Sequence, residues 1–278
     1  MSDEERKVQS SQHSQDLEHM EALNKFRSAA SVAMTPELFE KLYLSPQNKI
    51  HGDLRKTFAN PTPIPIAGFL LCLTPLSMDL MGWRGAGGNG AASIAVYFFQ
   101  GGILMTIGGI LEWILGNTFP AVVFSVFGTF WLAYGGLLNP SFAAFSSYAP
   151  PDAKSAAEGL QTTGFNASIA YWFLFMGVIC FVFLICSLRT NIVFFTIFLS
   201  LVIAFGLLTG AFLLNADDIS GNTSKAHKLI VGAGACTFIT SMSGWYIFLA
   251  LLLASVDFPI QIPVGDLSTV IKGKSEKL

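Results

Sequence analysis

The sequence predicts an all-α membrane protein, a bundle of six transmembrane helices, and three observations carry that prediction. Six apolar stretches, near 64–81, 91–115, 119–138, 165–188, 192–214 and 229–254, fill the middle and end of the chain. Each is close to the roughly 20 residues that a helix needs to cross a hydrocarbon core about 30 Å thick. Charge is sparse across these stretches, and most of it lies before Asn60 or after Ser255. The runs are also continuous, whereas a barrel needs short strands that alternate apolar and polar. In lipid an unpaired backbone amide costs several kcal/mol, so a continuous apolar run is expected to be helical.

The division along the chain follows from composition. Residues 1–59 form a polar leader, 60–256 the transmembrane domain and 257–278 a polar tail. Positions 9–21 are polar enough to be disordered. The leader has no apolar core, so it is not read as a cleaved signal peptide, and the first span is expected to insert itself. Thr35-Pro36 has the form of a helix start, with Leu38, Phe39, Leu42 and Tyr43 on one face, either packed beneath the bundle or laid on lipid. Lysine and arginine set the orientation. Arg55 and Lys56 precede the first span, Arg189 falls in the turn at 189–191, and Lys272, Lys274 and Lys277 close the chain. The opposite side holds only Arg84, Lys154, Lys225 and Lys228, so both termini are expected in the cytoplasm. The sequon Asn222-Thr223-Ser224 would then face outward and offer a check.

Three features carry more than hydropathy. Asn60-Pro61-Thr62-Pro63-Ile64-Pro65 precedes the first span. Prolines fix φ and remove donors, so this is either a stiff mouth with free carbonyls or a helix start with prolines in its first turn. Next, Glu112 is the only acidic or basic residue in the second apolar stretch, followed by the tight turn Gly116-Asn117-Thr118. An acidic group there is a functional candidate by default, and a group that reaches headgroup water or caps a helix otherwise. Glycines at seven-residue spacing, Gly101 with Gly108 and Gly102 with Gly109, form a stripe that lets helices approach closely, with packing the simpler role. Asp79 is expected to cap a helix or pair with Arg84. Trp83, Trp113, Trp131, Trp172 and Trp245 are read as interface anchors or packed residues.

Several classes are excluded. The chain lacks a P-loop, a dinucleotide fingerprint, a nucleophile elbow and paired metal-ligand histidines, so no enzyme, cofactor, metal or nucleic-acid role is expected. Cys72, Cys180, Cys186 and Cys236 all fall in spans, as small apolar packing residues rather than a disulfide framework.

Asn60-Pro61-Thr62-Pro63 leading into Ala67-Gly68-Phe69 resembles the Asn-Pro-Ala-Pro signature of the acetate uptake transporters, the succinate–acetate permease or YaaH group. Phe99, Gly101-Gly102, Gly108 to Glu112, Gly116 to Phe119 and Phe127 to Trp131 are similar to that family's second and third helices, and Pro263-Val264-Gly265 to its C-terminal motif. The resemblance covers about 55–268 and suits the fungal branch. It implies a six-helix protomer with its own path, a homohexamer, and proton-linked movement of acetate or similar monocarboxylates. It also implies a hydrophobic gate. The family Phe maps to Phe69, the Tyr position is Phe127 here, and the Leu falls at Leu201, or at Leu199 if the register slips. The signature's Gly is Pro65, and the usual Tyr and Gln of the second helix are Gln100 and Met105.

The expectation is thus a multi-pass plasma-membrane permease, whose partners are a small acetate-like solute, the lipid bilayer and further copies of itself. Asn60, Thr62, Glu112, Asn117 and Thr118 are expected along the substrate path, with Phe69, Phe127 and Leu201 as the gate. The alternatives are a channel for ammonia or another small neutral solute, and a membrane sensor or scaffold that does not transport.

Overall fold

The structure is a computed structural model that describes residues 54–267 and 270–271. The helix expected after Thr35, the polar segment 9–21 and the cations of the far leader and tail lie outside the described residues. Among the described residues six helices are long and apolar enough to cross a membrane: Pro63–Met81, Gly88–Ile114, Thr118–Leu138, Thr163–Ser187, Ile192–Asp217 and Ile219–Ser255. The shortest has 19 residues, which at about 1.5 Å each is sufficient for the hydrocarbon core. They are called the first to sixth spans. A short helix, Leu54–Thr57, precedes them.

The first span lies between the second and the sixth; the fifth packs on the sixth and the fourth; the third packs on the second. Aromatic contacts join the third span to the fourth and fifth, among them Phe119–Phe183, Phe130–Trp172 and Phe130–Phe205. Outward faces carry exposed Leu71, Phe175 and Phe181, as lipid contact requires.

The glycine stripe is a packing device. A Cβ at Gly108 would lie 2.5 Å from two atoms of the Pro65 ring. One at Gly101 would lie 2.6 Å from Trp131 and 2.7 Å from Cys72. The second span therefore seats directly on the first and third.

Two elements differ from the hydropathy reading. The second span is not one regular helix. It opens with 3-10 turns at Gly88–Ser93, with positive φ at Gly88, Asn89 and Gly90, and widens to a π-helix over Tyr97–Leu104. Apolar content is blind to such a change of winding. The sixth span starts at Ile219, ten residues before the apolar stretch, because Asp218 accepts from the amides of Ser220 at 3.1 Å and Gly221 at 3.0 Å. The sequon consequently sits on a helix. Asn222 is buried and its Nδ2 donates to the Leu214 carbonyl at 3.1 Å, so it offers no check on orientation.

Two smaller expectations are narrowed. Among the described residues Asp79 forms no ion pair with Arg84. Trp131 is a core residue at 1 % exposure, whereas Trp113, at 72 %, lies on the outside.

Beyond the sixth span the chain returns to the bundle. Gly265 O accepts from Ile192 N at 2.8 Å, Leu267 N donates to Thr190 O at 3.0 Å, and Tyr246 OH donates to Pro263 O at 2.5 Å. Arg189 donates to the Ile271 carbonyl. Val264 is buried beneath this strap.

Candidate permeation path

Seven residues of α-helix are nearly two turns, so residues at that spacing share a face and stand about 10 Å apart. The first span presents Thr62, Phe69 and Leu76 in this way, the third Phe127 and Tyr134, and the fifth Phe194, Leu201, Leu208 and Asn215. Those stripes line successive spaces in the bundle. Thr62 belongs to a polar cluster at one end. Phe69, Phe127, Phe194 and Leu201 surround a small apolar cavity. Leu76, Tyr134, Leu208 and Asn215 line a larger cavity toward the other end.

The polar cluster is built from the start of the first span and the hairpin between the second and third. Pro63 takes the first helical position, and Ile64 N and Ile66 N donate to the carbonyls of Pro61 and Thr62 at 3.0 and 3.4 Å. The proline run is therefore a helix start, and those two carbonyls are not left free. Asn60 Oδ1 accepts from Thr62 N at 3.0 Å, which fixes the backbone ahead of the helix. Glu112 is fully buried and does not reach headgroup water. Thr62 Oγ1 donates to its Oε1, and Asn117 Nδ2 donates to its Oε2 at 2.6 Å. Gly116, with φ of +75°, makes the turn that brings Asn117 back to the carboxylate, and Asn117 N donates to Glu112 O at 2.8 Å. A buried carboxylate that accepts on both oxygens is compensated for its lost hydration. Thr118 does not join this cluster; it is exposed and its side chain makes no hydrogen bond among the described residues.

The middle cavity is about 40 Å³. Its walls offer no polar side chain, and an ordered water needs two to four polar partners. Phe69 and Phe127 meet edge to face across it, with ring centroids 6.3 Å apart. Leu201 is 3 % exposed and lines it, whereas Leu199 is 40 % exposed. Met105 lines the same cavity and is buried, while Gln100 is exposed, so neither brings a polar group to this space.

The far cavity is about 350 Å³ and mostly apolar, with Asn89, Tyr134, Asn166 and Asn215 as its polar lining. Sequence reasoning missed these amides. Their signal is weak, a lone Asn near each end of an apolar stretch. It also missed the aromatic cluster behind Tyr134, where Tyr97 stacks on Trp131 with centroids 5.2 Å apart and meets Tyr134 edge-on at 5.3 Å.

A six-span bundle with a buried polar cluster, a small dry cavity and a wider cavity fits the class of membrane permeation proteins. The chain belongs to the GPR1/FUN34/yaaH family, which it matches over residues 44–269. It is a family of membrane transport proteins, not of enzymes. The chain is 46 % identical over 240 residues to Protein alcS of Aspergillus fumigatus, covering 86 % of each chain. It is 30 % identical over 222 residues to Acetate permease A of Emericella nidulans, covering 80 % of this chain and 71 % of that one. In fold it is similar to the bacterial acetate channel SatP, with a TM-score of 0.58 and 24 % identity over 75 % of this chain and 99 % of that chain.

Proposed function

We propose that this protein is a plasma-membrane permease for acetate or a similar small monocarboxylate, moved together with a proton. The observation that supports the reading is the seven-residue spacing of Thr62, Phe69 and Leu76 on the first span, which meet in turn the polar cluster, the small apolar cavity and the wider cavity. The likeness to an acetate permease supports the choice of solute.

In this reading Asn60, Thr62, Glu112 and Asn117 form the cytoplasmic mouth, both termini are cytoplasmic, and Glu112 orients the mouth or exchanges the coupled proton. Phe69, Phe127 and Leu201 close the path to anything that cannot shed its water, because a hydrophobic constriction excludes ions by dewetting. Each protomer has its own path and the protomers assemble as a homohexamer.

A second reading is a channel for ammonia or another small neutral solute. It is favoured by the lack of a lysine or arginine on the lining of either cavity. Uptake of labelled acetate by purified protein in liposomes, with and without a pH gradient, separates the two. Saturable uptake that follows the gradient supports the permease; ammonia flux with no acetate uptake supports the channel.

A further inference from the structure

Two polar groups of the far cavity, Asn166 and Tyr134, have their hydrogen-bonding character fixed by bonds already made. Asn166 is 2 % exposed, and its Nδ2 donates to the carbonyls of both Leu160 and Thr162 at 2.9 Å. Two carbonyls can be faced only by the amide nitrogen, so the orientation of this amide is set, and both of its N–H groups are spent. Its Oδ1 accepts no bond among the described residues, and Asn166 lines the cavity. Tyr134 likewise spends its proton on the Asn89 carbonyl, at 2.7 Å. Asn215 lines the same cavity with an amide that makes no hydrogen bond among the described residues. No lysine, arginine or histidine belongs to the lining, and the remaining walls are largely apolar, among them Leu76, Leu80 and Phe173.

The lining offers a carboxylate no cation and only the neutral amides of Asn89 and Asn215, while Asn166 Oδ1 opposes its lone pairs; a carboxylate leaves water at a cost unless donors replace it. The lining matches a small solute that brings a donor of its own. We infer that the far cavity is a recognition site for the undissociated form of a small carboxylic acid, whose O–H donates to Asn166 Oδ1 and whose carbonyl accepts from the Asn215 amide. The choice of an acid rests on the permease reading; the need for a neutral donor rests on Asn166 alone. With this site the coupled proton is already on the solute when it enters the cavity, and the dry constriction beyond receives an uncharged molecule.

Saturation-transfer NMR on purified protein in lipid nanodiscs tests this with two neutral probes of similar size. Acetamide carries a donor and an acceptor, while methyl acetate carries acceptors only. Neither changes charge with pH. Acetamide is expected to show saturable transfer, with methyl acetate several-fold weaker. Asn166→Leu is expected to weaken acetamide about fivefold to tenfold, the worth of one hydrogen bond, and leave methyl acetate unchanged. Acetate added as competitor is expected to displace acetamide only in proportion to its undissociated fraction.

Equal transfer to the two probes overturns the proposal, as does acetamide binding that is indifferent to Asn166→Leu, or displacement that follows total acetate. Where Asn166→Leu does not assemble, the probe comparison in the unaltered protein and the variant Asn215→Leu decide it. Acetamide binding that depends on Asn166 in a protein that moves no labelled acetate would retain the site and sink the permease reading.

Discussion

Asn117 Nδ2 donates to Glu112 Oε2 at 2.6 Å, although Asn117 holds the cap position of the third span and its side chain makes no capping bond there. An asparagine cap contributes about 1 kcal/mol to a helix. Here the amide serves the carboxylate instead, which ties the hairpin between the second and third spans to the start of the first through Thr62.

Glu112→Gln therefore keeps the geometry and removes the charge. The new amide oxygen accepts from Asn117, and its nitrogen donates to Thr62, whose hydroxyl can reverse. The variant is expected to assemble, with acetate uptake much reduced. Uptake in liposomes at two gradients checks this; a rate and pH profile like the parent's would remove Glu112 from the mechanism. Glu112→Ala instead orphans both donors, at about 1–3 kcal/mol each, and is expected to lower the thermal midpoint of the purified protein.

At the constriction, Phe69→Ala is expected to widen the path and admit longer acids such as lactate or succinate. Leu201→Ala is expected to act in the same direction, and Leu199→Ala to leave selectivity as it was. Phe127→Tyr returns a hydroxyl to the gate and is expected to raise acetate flux relative to neutral solutes several-fold, since one hydrogen bond contributes about 1 kcal/mol. Competition of acetate, lactate, succinate and ammonia against labelled acetate reads all of these. Unchanged selectivity throughout would mean the residues only pack the bundle.

Helix packing gives a prediction independent of transport. Gly108→Ala drives a methyl into the Pro65 ring, whose nearest atoms stand 2.5 Å away, and overpacking of this kind costs about 1–3 kcal/mol. Gly206→Ala meets nothing within 4 Å and is expected to be neutral or to stabilise by up to about 1 kcal/mol through helix propensity. Thermal unfolding in detergent compares the two. Equal midpoints would show that the first and second spans do not rely on the glycine contact.

The strap after the sixth span rests on Gly265, which has φ of +68° and whose Cβ would lie 2.7 Å from Ile192 Cγ2. Gly265→Ala is expected to release the strap, so that the amides of Ile192 and Leu267 exchange hydrogen faster while the spans stay protected. Exchange rates like the parent's would show that the strap does not depend on this turn.

How much of this was legible follows from what each signal depends on. Span existence depends on summed hydropathy, which a single chain displays in full. Winding and capping do not change that sum, so the π-helix at Tyr97–Leu104 and the start at Ile219 were hidden. Glu112 stood out because a carboxylate in an apolar run is conspicuous. Its partners Thr62 and Asn117 were named as path residues, but only the fold shows that both donate to it. Leu201 and Leu199 are equivalent by composition, and burial separates them. Asn166 was invisible because its meaning lies in which of its atoms are already bonded.

The central claim is that solute passes Phe69. It is tested most directly by Phe69→Cys in a background with Cys72, Cys180, Cys186 and Cys236 replaced, reconstituted in liposomes and treated with a small thiol reagent. Leu71→Cys, two residues along the same helix with 41 % exposure on the outer face, is the control. The path described here predicts that the reagent abolishes labelled acetate uptake in Phe69→Cys and leaves Leu71→Cys active. Uptake that survives complete modification of Phe69→Cys would contradict it.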